Sequence, residues 1–160
     1  NMSKQKVGAI LVFERKTGLG DVMESGTVLE ADISSELIEN IFYPNTPLHD
    51  GAVVMDQQSI VAAGCYLPLT EKTDISRWYG TRHRAALGVT EMSDAIALVV
   101  SEERGEITAA VAGHFSKPLS EAQLKKICNH YFSFESKESN FMDRLREEIQ
   151  QQWAGGDKNV

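Results

Sequence analysis

Three basic side chains, Arg82, His83 and Arg84, follow one another in the stretch GTRHRAALG at residues 80–88. Ala85, Ala86 and Leu87 are good helix formers, and Thr81 is suited to cap the helix they would open. A helix start already carries positive potential and unpaired N–H groups. Each added cation there costs about 0.3–1 kcal/mol unless an anion is close. Two guanidiniums at such a position make sense opposite a polyphosphate, whose oxygens an arginine fork meets bidentately. The competing reading is of solvated arginines paired with the chain's many carboxylates. His83 reads equally as a structural, hydrogen-bonded imidazole or as a catalytic one.

Three further stretches carry usable chemistry. In LHDGAVV, Asp50 closes a proline-rich loop just before an apolar run, and Gly51 permits a tight turn or a close ligand. His49 beside it offers an imidazole and a carboxylate to one divalent cation, although Asp-Gly is most often only a turn. In VVSEE, a core strand runs out into Ser101 and two carboxylates, Glu102 and Glu103. A hydroxyl there can bind phosphate and a carboxylate can hold a metal, because ligands of α/β sheets collect outside strand ends. The alternative is a polar strand end facing water. In CYLPL, Tyr66 ends a strand before Pro68 and can stack on a base or simply half-bury in a core. Together these are the parts of a nucleotidyl-transfer site: a polyphosphate cradle, an acidic residue, a metal ligand and a base platform.

The elements that must position these residues follow from periodicity. Residues 7–15 (VGAILVFER) read as a buried strand, and KTGLGD as a turn. Residues 31–44 read as a helix capped by Asp32 or Ser34 and closed by Pro44, with Leu37, Ile38, Ile41 and Phe42 on one face. Two strands, GAVVMD and SIVAAGCYLPL, flank a polar turn at Gln57 and Gln58. Residues 94–103 and 107–112 form another strand pair. SEAQLKKICNHYF opens with a capping box, Ser120 with Gln123, and is helical. NFMDRLREEIQQQW is a further amphipathic helix, with Phe141, Leu145, Ile149 and Trp153 at helical spacing, and a frayed end follows. The fold class is therefore α/β: a single domain whose mixed, mostly antiparallel central sheet is flanked by helices on both faces.

The chain has 160 residues, 42% apolar, with a formal net charge of −7. That length and composition fit one domain with a real core. The acidic balance argues against a nucleic-acid-coating surface, so no nucleic-acid partner is expected through this domain. Cys65 and Cys128 lack metal or redox spacing and read as buried free thiols of a cytoplasmic protein. Asn1 precedes Met2, which reads as a remnant ahead of a domain excised from a longer protein. On that reading, any membrane anchor belongs to an N-terminal region outside this chain.

In order, PNTPLHDGA, YLPL, GTRHRAALG and DAIALVVSEE resemble the diadenylate cyclase (DAC) domain family, with the match running from about Val7 to Ala112. The resemblance implies condensation of two ATP molecules into cyclic di-AMP with release of two pyrophosphates. It implies a catalytic domain over residues 1–134, followed by a C-terminal helix and tail over 135–160. It assigns catalysis to Asp50, Gly51, Arg82, His83 and Arg84. ATP binding falls to Tyr66, Leu67, Gly80, Thr81, Arg82 and Ser101, with Tyr66 against adenine and the Leu67 backbone at its edge. A divalent metal (Mn²⁺ or Mg²⁺, with Co²⁺ as a further candidate) falls to His49, Asp50 and Glu103. Because the hydroxyl held by one domain attacks the phosphorus held by another, activity requires a homodimer or higher homo-oligomer with a two-fold contact. The other readings are a catalytically silent nucleotide sensor of the same fold, a metal-dependent phosphohydrolase, and a domain whose basic turn binds an acidic partner.

Overall fold

The computed structural model describes residues 1–133 and 138–154, with side chains for 1–133 and 144–152. Phe141 and Trp153 of the expected apolar stripe, and the frayed end, lie outside these descriptions. Seven strands form one sheet: β1 Ala9–Phe13, β2 Thr27–Asp32, β3 Ala52–Met55, β4 Ser59–Cys65, β5 Ile96–Val100, β6 Ile107–Val111 and β7 His114–Phe115. Their order is β2-β4-β3-β1-β5-β6-β7. Only the β1–β3 pair is parallel, so the sheet is mixed and mostly antiparallel, as its hairpin links require.

Successive residues of the central strands face opposite cores. Phe13, Val53, Ile96, Leu98 and Val111 point to one side. There they meet α3 (Ser35–Ile41), α5 (Glu121–Phe132) and α6 (Glu138–Ala154) through Ile41, Phe42, Ile127, Tyr131, Leu145 and Ile149. Ile10, Val12, Val54, Ala97 and Val99 point to the other. They meet α2 (Gly20–Glu24) and α4 (Thr81–Met92) through Val22, Ala86, Leu87 and Val89. In β4, Ile60 and Ala62 fall on opposite sides although two residues apart, because the β3–β4 register shifts between them.

Several local expectations need correction. Residues 16–34 are more than a turn running into a helix: they hold α2 and the edge strand β2. The helix after them starts at Ser35, capped by the Ser34 hydroxyl, which accepts from the Leu37 N–H, while Asp32 ends β2. A short helix α1 (Met2–Gln5) precedes β1, and β7 follows β6. The capping position of α4 is held by Gly80 without a side-chain cap, so Thr81 is its first helical residue. Ser120 and Gln123 form the expected box at the start of α5. Both cysteines are free, but Cys128 is only half-buried. Burial pushes the Cys65 thiol up to about 11, which makes it inert.

Candidate active site

Strand polarity gathers the candidate residues. Because Ala9 pairs with Val100, Ala52 with Cys65, and Val100 with Ile107, the starts of β1, β3 and β6 share one sheet edge with the ends of β4 and β5. His49, Asp50 and Gly51 lead into β3 there. Tyr66 and Leu67 leave β4 there, and Ser101, Glu102 and Glu103 leave β5 there. From the end of β4 across β3 and β1 to the end of β5 is three strand spacings, about 14 Å. The first turn of α4 comes down onto the β5 end of this row. Gly80, Thr81, Arg82 and His83 line one small cavity, of about 60 Å³, with Val100, Ser101, Glu102, Glu103 and Trp78.

Arg82 is held across that cavity. Its Nη1 lies 3.1 Å from Oε2 of Glu102, with the Arg82 side chain 25% exposed. Its guanidinium fills the space where a Cβ on Gly8 would stand, 2.7 Å from Nη1 and 2.8 Å from Cζ. Gly8, one residue before β1, is thus what lets the guanidinium reach toward the middle of the sheet edge. The turn after β5 is closed by its own bonds. Gly105 N–H donates to Ser101 O, Ser101 N–H to Glu106 O, and Arg104 N–H to the Ser101 hydroxyl. Arg84, on the far side of the turn, is half-buried, and its carbonyl accepts from Thr70 N–H.

His83 is buried, 6% exposed, in an aromatic cage. Its ring stacks on Tyr79 at 4.7 Å and 22°, and meets the edge of Phe115 at 5.6 Å. Desolvation, with Arg82 adding to it, pushes its pKa down to about 4, so the imidazole is neutral at physiological pH. Its surroundings are those of a packing residue that shapes the turn. Next to Tyr79, Trp78 is exposed and carries Arg104, whose Cζ lies 4.7 Å from the ring centroid.

Asp50 does not line the Arg82 cavity. It stands in the loop just before β3, and β3 is two strand spacings, about 10 Å, from β5 along the same edge. It is exposed, and its carboxylate makes no hydrogen bond or ion pair within the described chain. His49 is fixed beside it: Nδ1–H donates to Thr46 O at 2.6 Å, which leaves Nε2 as the acceptor. That is the arrangement of a metal-ligating imidazole. The structure does not bring Glu103 to this pair: among the described residues, no three His, Cys, Asp or Glu side chains form a metal-holding group. An imidazole beside a carboxylate suits a divalent cation of intermediate hardness that takes its remaining ligands from phosphate and water. Gly51 has φ +124°, and a Cβ there would lie 2.7 Å from the Gly64 carbonyl carbon and 2.9 Å from the Cys65 carbonyl oxygen. Its first demand is therefore the approach of β4, whatever a ligand adds. Tyr66 is 72% exposed at the same edge, its N–H bonded to the Ser25 hydroxyl, while Leu67 packs on the α4-side core.

Glu102 reads only as one of two carboxylates at a strand end, and Gly8, Trp78 and Tyr79 are not marked by residue type. A Trp-Tyr pair immediately before a glycine at a helix start is the available signal for the last two. The larger cavities lie elsewhere. One of about 770 Å³ opens between residues 72–79 and β7, one of about 460 Å³ beside Glu91 and Asp94, and one of about 430 Å³ at the opposite sheet edge beside Glu14 and Asp56.

Residues 1–115 match the DAC family, described as DisA bacterial checkpoint controller nucleotide-binding. The chain is 48% identical to cyclic di-AMP synthase CdaA of Bacillus subtilis over 139 residues, covering 87% of this chain and 51% of that protein. It is 48% identical to a diadenylate cyclase of Listeria monocytogenes over 126 residues, covering 79% and 46%. The chain thus spans about half the length of these curated relatives. Among solved structures, a double-cysteine variant of DacA from Staphylococcus aureus superposes with a TM-score of 0.80 at 42% identity, over 84% of this chain and 89% of that one. A protein from Bacillus cereus described as membrane spanning gives 0.71 at 45% identity, over 74% and 58%. With the motifs in order, the fold matched and more than half of its length covered, this chain belongs to the DAC family of diadenylate cyclase domains.

Proposed function

We propose that this chain condenses two ATP molecules into cyclic di-AMP, each copy holding one ATP along the sheet edge. The observation that carries the reading is the convergence, on one edge, of the Arg82-bearing helix start, the Ser101–Glu103 turn and the Asp50 carboxylate. The relatives named as diadenylate cyclases support it.

In this reading Tyr66 stacks on adenine and the Leu67 backbone meets its edge. The first N–H groups of α4, the Thr81 and Ser101 hydroxyls and the Arg82 guanidinium take the phosphates, whose charge compensates the cationic turn. Gly80 leaves the helix entrance open, and His83 holds the turn's shape. In the same reading Arg84 shapes the loop or contacts phosphate. The 3′-oxygen of one ATP attacks the α-phosphorus of the other, the bond to the β-phosphate oxygen breaks, and pyrophosphate leaves with its electron pair. The hydroxyl proton passes to Asp50 or, through it, to water. Repeating the step in the opposite sense closes the ring and releases the second pyrophosphate. Arg82 stabilises the charge gathering on each leaving group. A divalent cation at Asp50 and His49 would lower the cost of ionising the hydroxyl. Glu103 reaches such a cation only through the nucleotide or solvent.

Because attacking and leaving groups sit on different copies, a two-fold face-to-face homodimer, or a larger assembly containing it, is the catalytic unit. Among the described residues, no helix is long and apolar enough to cross a membrane. In this reading the domain acts on the cytoplasmic side, where ATP is. The test is incubation with ATP and Mn²⁺ or Mg²⁺. Cyclic di-AMP and pyrophosphate in a 1:2 ratio support the proposal, and Asp50→Asn abolishes both while leaving ATP bound. ATP binding without product would instead mark a silent sensor, and free phosphate or AMP a hydrolase.

A further inference from the structure

Tyr79 belongs to the loop that delivers the chain to α4, and none of the motif residues accounts for it. Its N–H donates to Ser76 O, so a tight turn carries the ring. One side of that ring lies on the His83 imidazole at 4.7 Å, and it also packs on Phe115 at 4.7 Å and 51°. Phe115 in turn meets the imidazole edge-on. His83 lies between Arg82 and Arg84 in the first turn of α4, so that turn cannot rotate without dragging the imidazole out of its cage.

We propose that Tyr79 is a positioning residue for the phosphate site, acting through His83: clamped between Tyr79 and Phe115, the imidazole fixes the rotation of the first turn of α4, and with it the direction in which Arg82 reaches across Gly8. The charged groups facing the imidazole are Arg82 from α4 itself and Glu106 from the approach to β6, while Arg104 and Glu106 act on Tyr79. Burial dominates these charges and keeps the imidazole neutral. Opening the cage admits water and lets it take a proton near its ordinary pH range, next to a guanidinium that repels it.

The inference rests on the cyclase reading for its kinetic readout alone. Wild type, Tyr79→Phe and Tyr79→Ala are compared in the full chain by NMR titration of His83, by ATP binding, and by kcat/KM for ATP from pH 5 to 8. In wild type and Tyr79→Phe, His83 stays untitrated above pH 5. In Tyr79→Ala it titrates near pH 6, ATP affinity and kcat/KM are about tenfold lower at pH 8, and kcat/KM gains a transition near pH 6. If Tyr79→Ala fails to fold, Tyr79→Leu, which fills the space without the stacked face, takes its place. An unchanged His83 titration overturns the inference. So does an ATP affinity equal to wild type once corrected for the folded fraction. If wild type makes no cyclic dinucleotide, the cyclase reading fails, while the His83 titration and ATP binding still decide the role of Tyr79.

Discussion

Acid should strip a defined amount of stability from this fold through one side chain, His83. In the unfolded chain its imidazole takes a proton around its ordinary 6.5; in the folded chain it resists until about 4. The unfolded state therefore binds more protons across that window. The contribution is fully present above about pH 6.5 and is lost as pH falls toward 4. At about 1.4 kcal/mol per pH unit, the whole window is worth about 3 kcal/mol, and at pH 5 about 2 kcal/mol is already gone. For a domain of this size that is a loss of about 4–8 °C in Tm. The assay is urea unfolding at pH 8 and pH 5 for wild type and His83→Gln. The variant loses ring packing at both pH values, and that loss cancels in the difference. The other titrating groups cancel as well. The drop from pH 8 to pH 5 should be smaller in His83→Gln by about 2 kcal/mol. An equal drop in both proteins would refute the view that the imidazole is caged and neutral.

The remaining predictions concern the nucleotide edge. Gly8→Ala puts a methyl group into the space filled by the Arg82 guanidinium, and the flexible end of Arg82 yields rather than the backbone. Stability measured by urea unfolding should change by less than about 0.5 kcal/mol, while kcat/KM for ATP falls about tenfold or more. Tyr66→Ala removes a ring exposed at the end of β4, so Tm should hold. ATP affinity, read by calorimetry, should fall by about 1–3 kcal/mol from lost stacking, with inorganic pyrophosphate binding unchanged.

Much of this architecture was legible in the chain. The runs that became β1, β3, β4, β5 and β6 are apolar and β-branched because both their faces are covered, and such runs announce themselves. Ser34 and the Ser120–Gln123 box marked two helix starts by side-chain chemistry that the backbone uses as expected. β2 was hidden because it is an edge strand with little buried surface: Thr27, Val28, Glu30 and Asp32 are exposed, and Glu30 has φ +47°. Thr81 looked like a cap, but Gly80 takes the extended capping position and frees Thr81 for the first turn. The site was legible as separate pieces. Their convergence was not, because it depends on β1 and β3 running parallel while β4 and β5 run against them, which no local pattern encodes. Gly8 escaped notice for the same reason, since it matters only through Arg82, more than seventy residues away, and the pairing of Glu102 with Arg82, twenty residues apart, is equally invisible to local pattern.

The central claim is that one sheet edge, with Arg82 at one end and Asp50 toward the other, grips ATP and hands it to a second copy. Mixing a chain carrying Asp50→Asn with a chain carrying Arg82→Ala, and following both linear and cyclic dinucleotide formed from ATP, tests it most directly. Each variant alone should be silent. If both residues of one half-reaction must lie on opposite copies, the mixture should form the linear dinucleotide at a rate rising with total protein concentration. Wild-type turnover that is independent of concentration down to the monomer, or undiminished turnover by either variant alone, would contradict it.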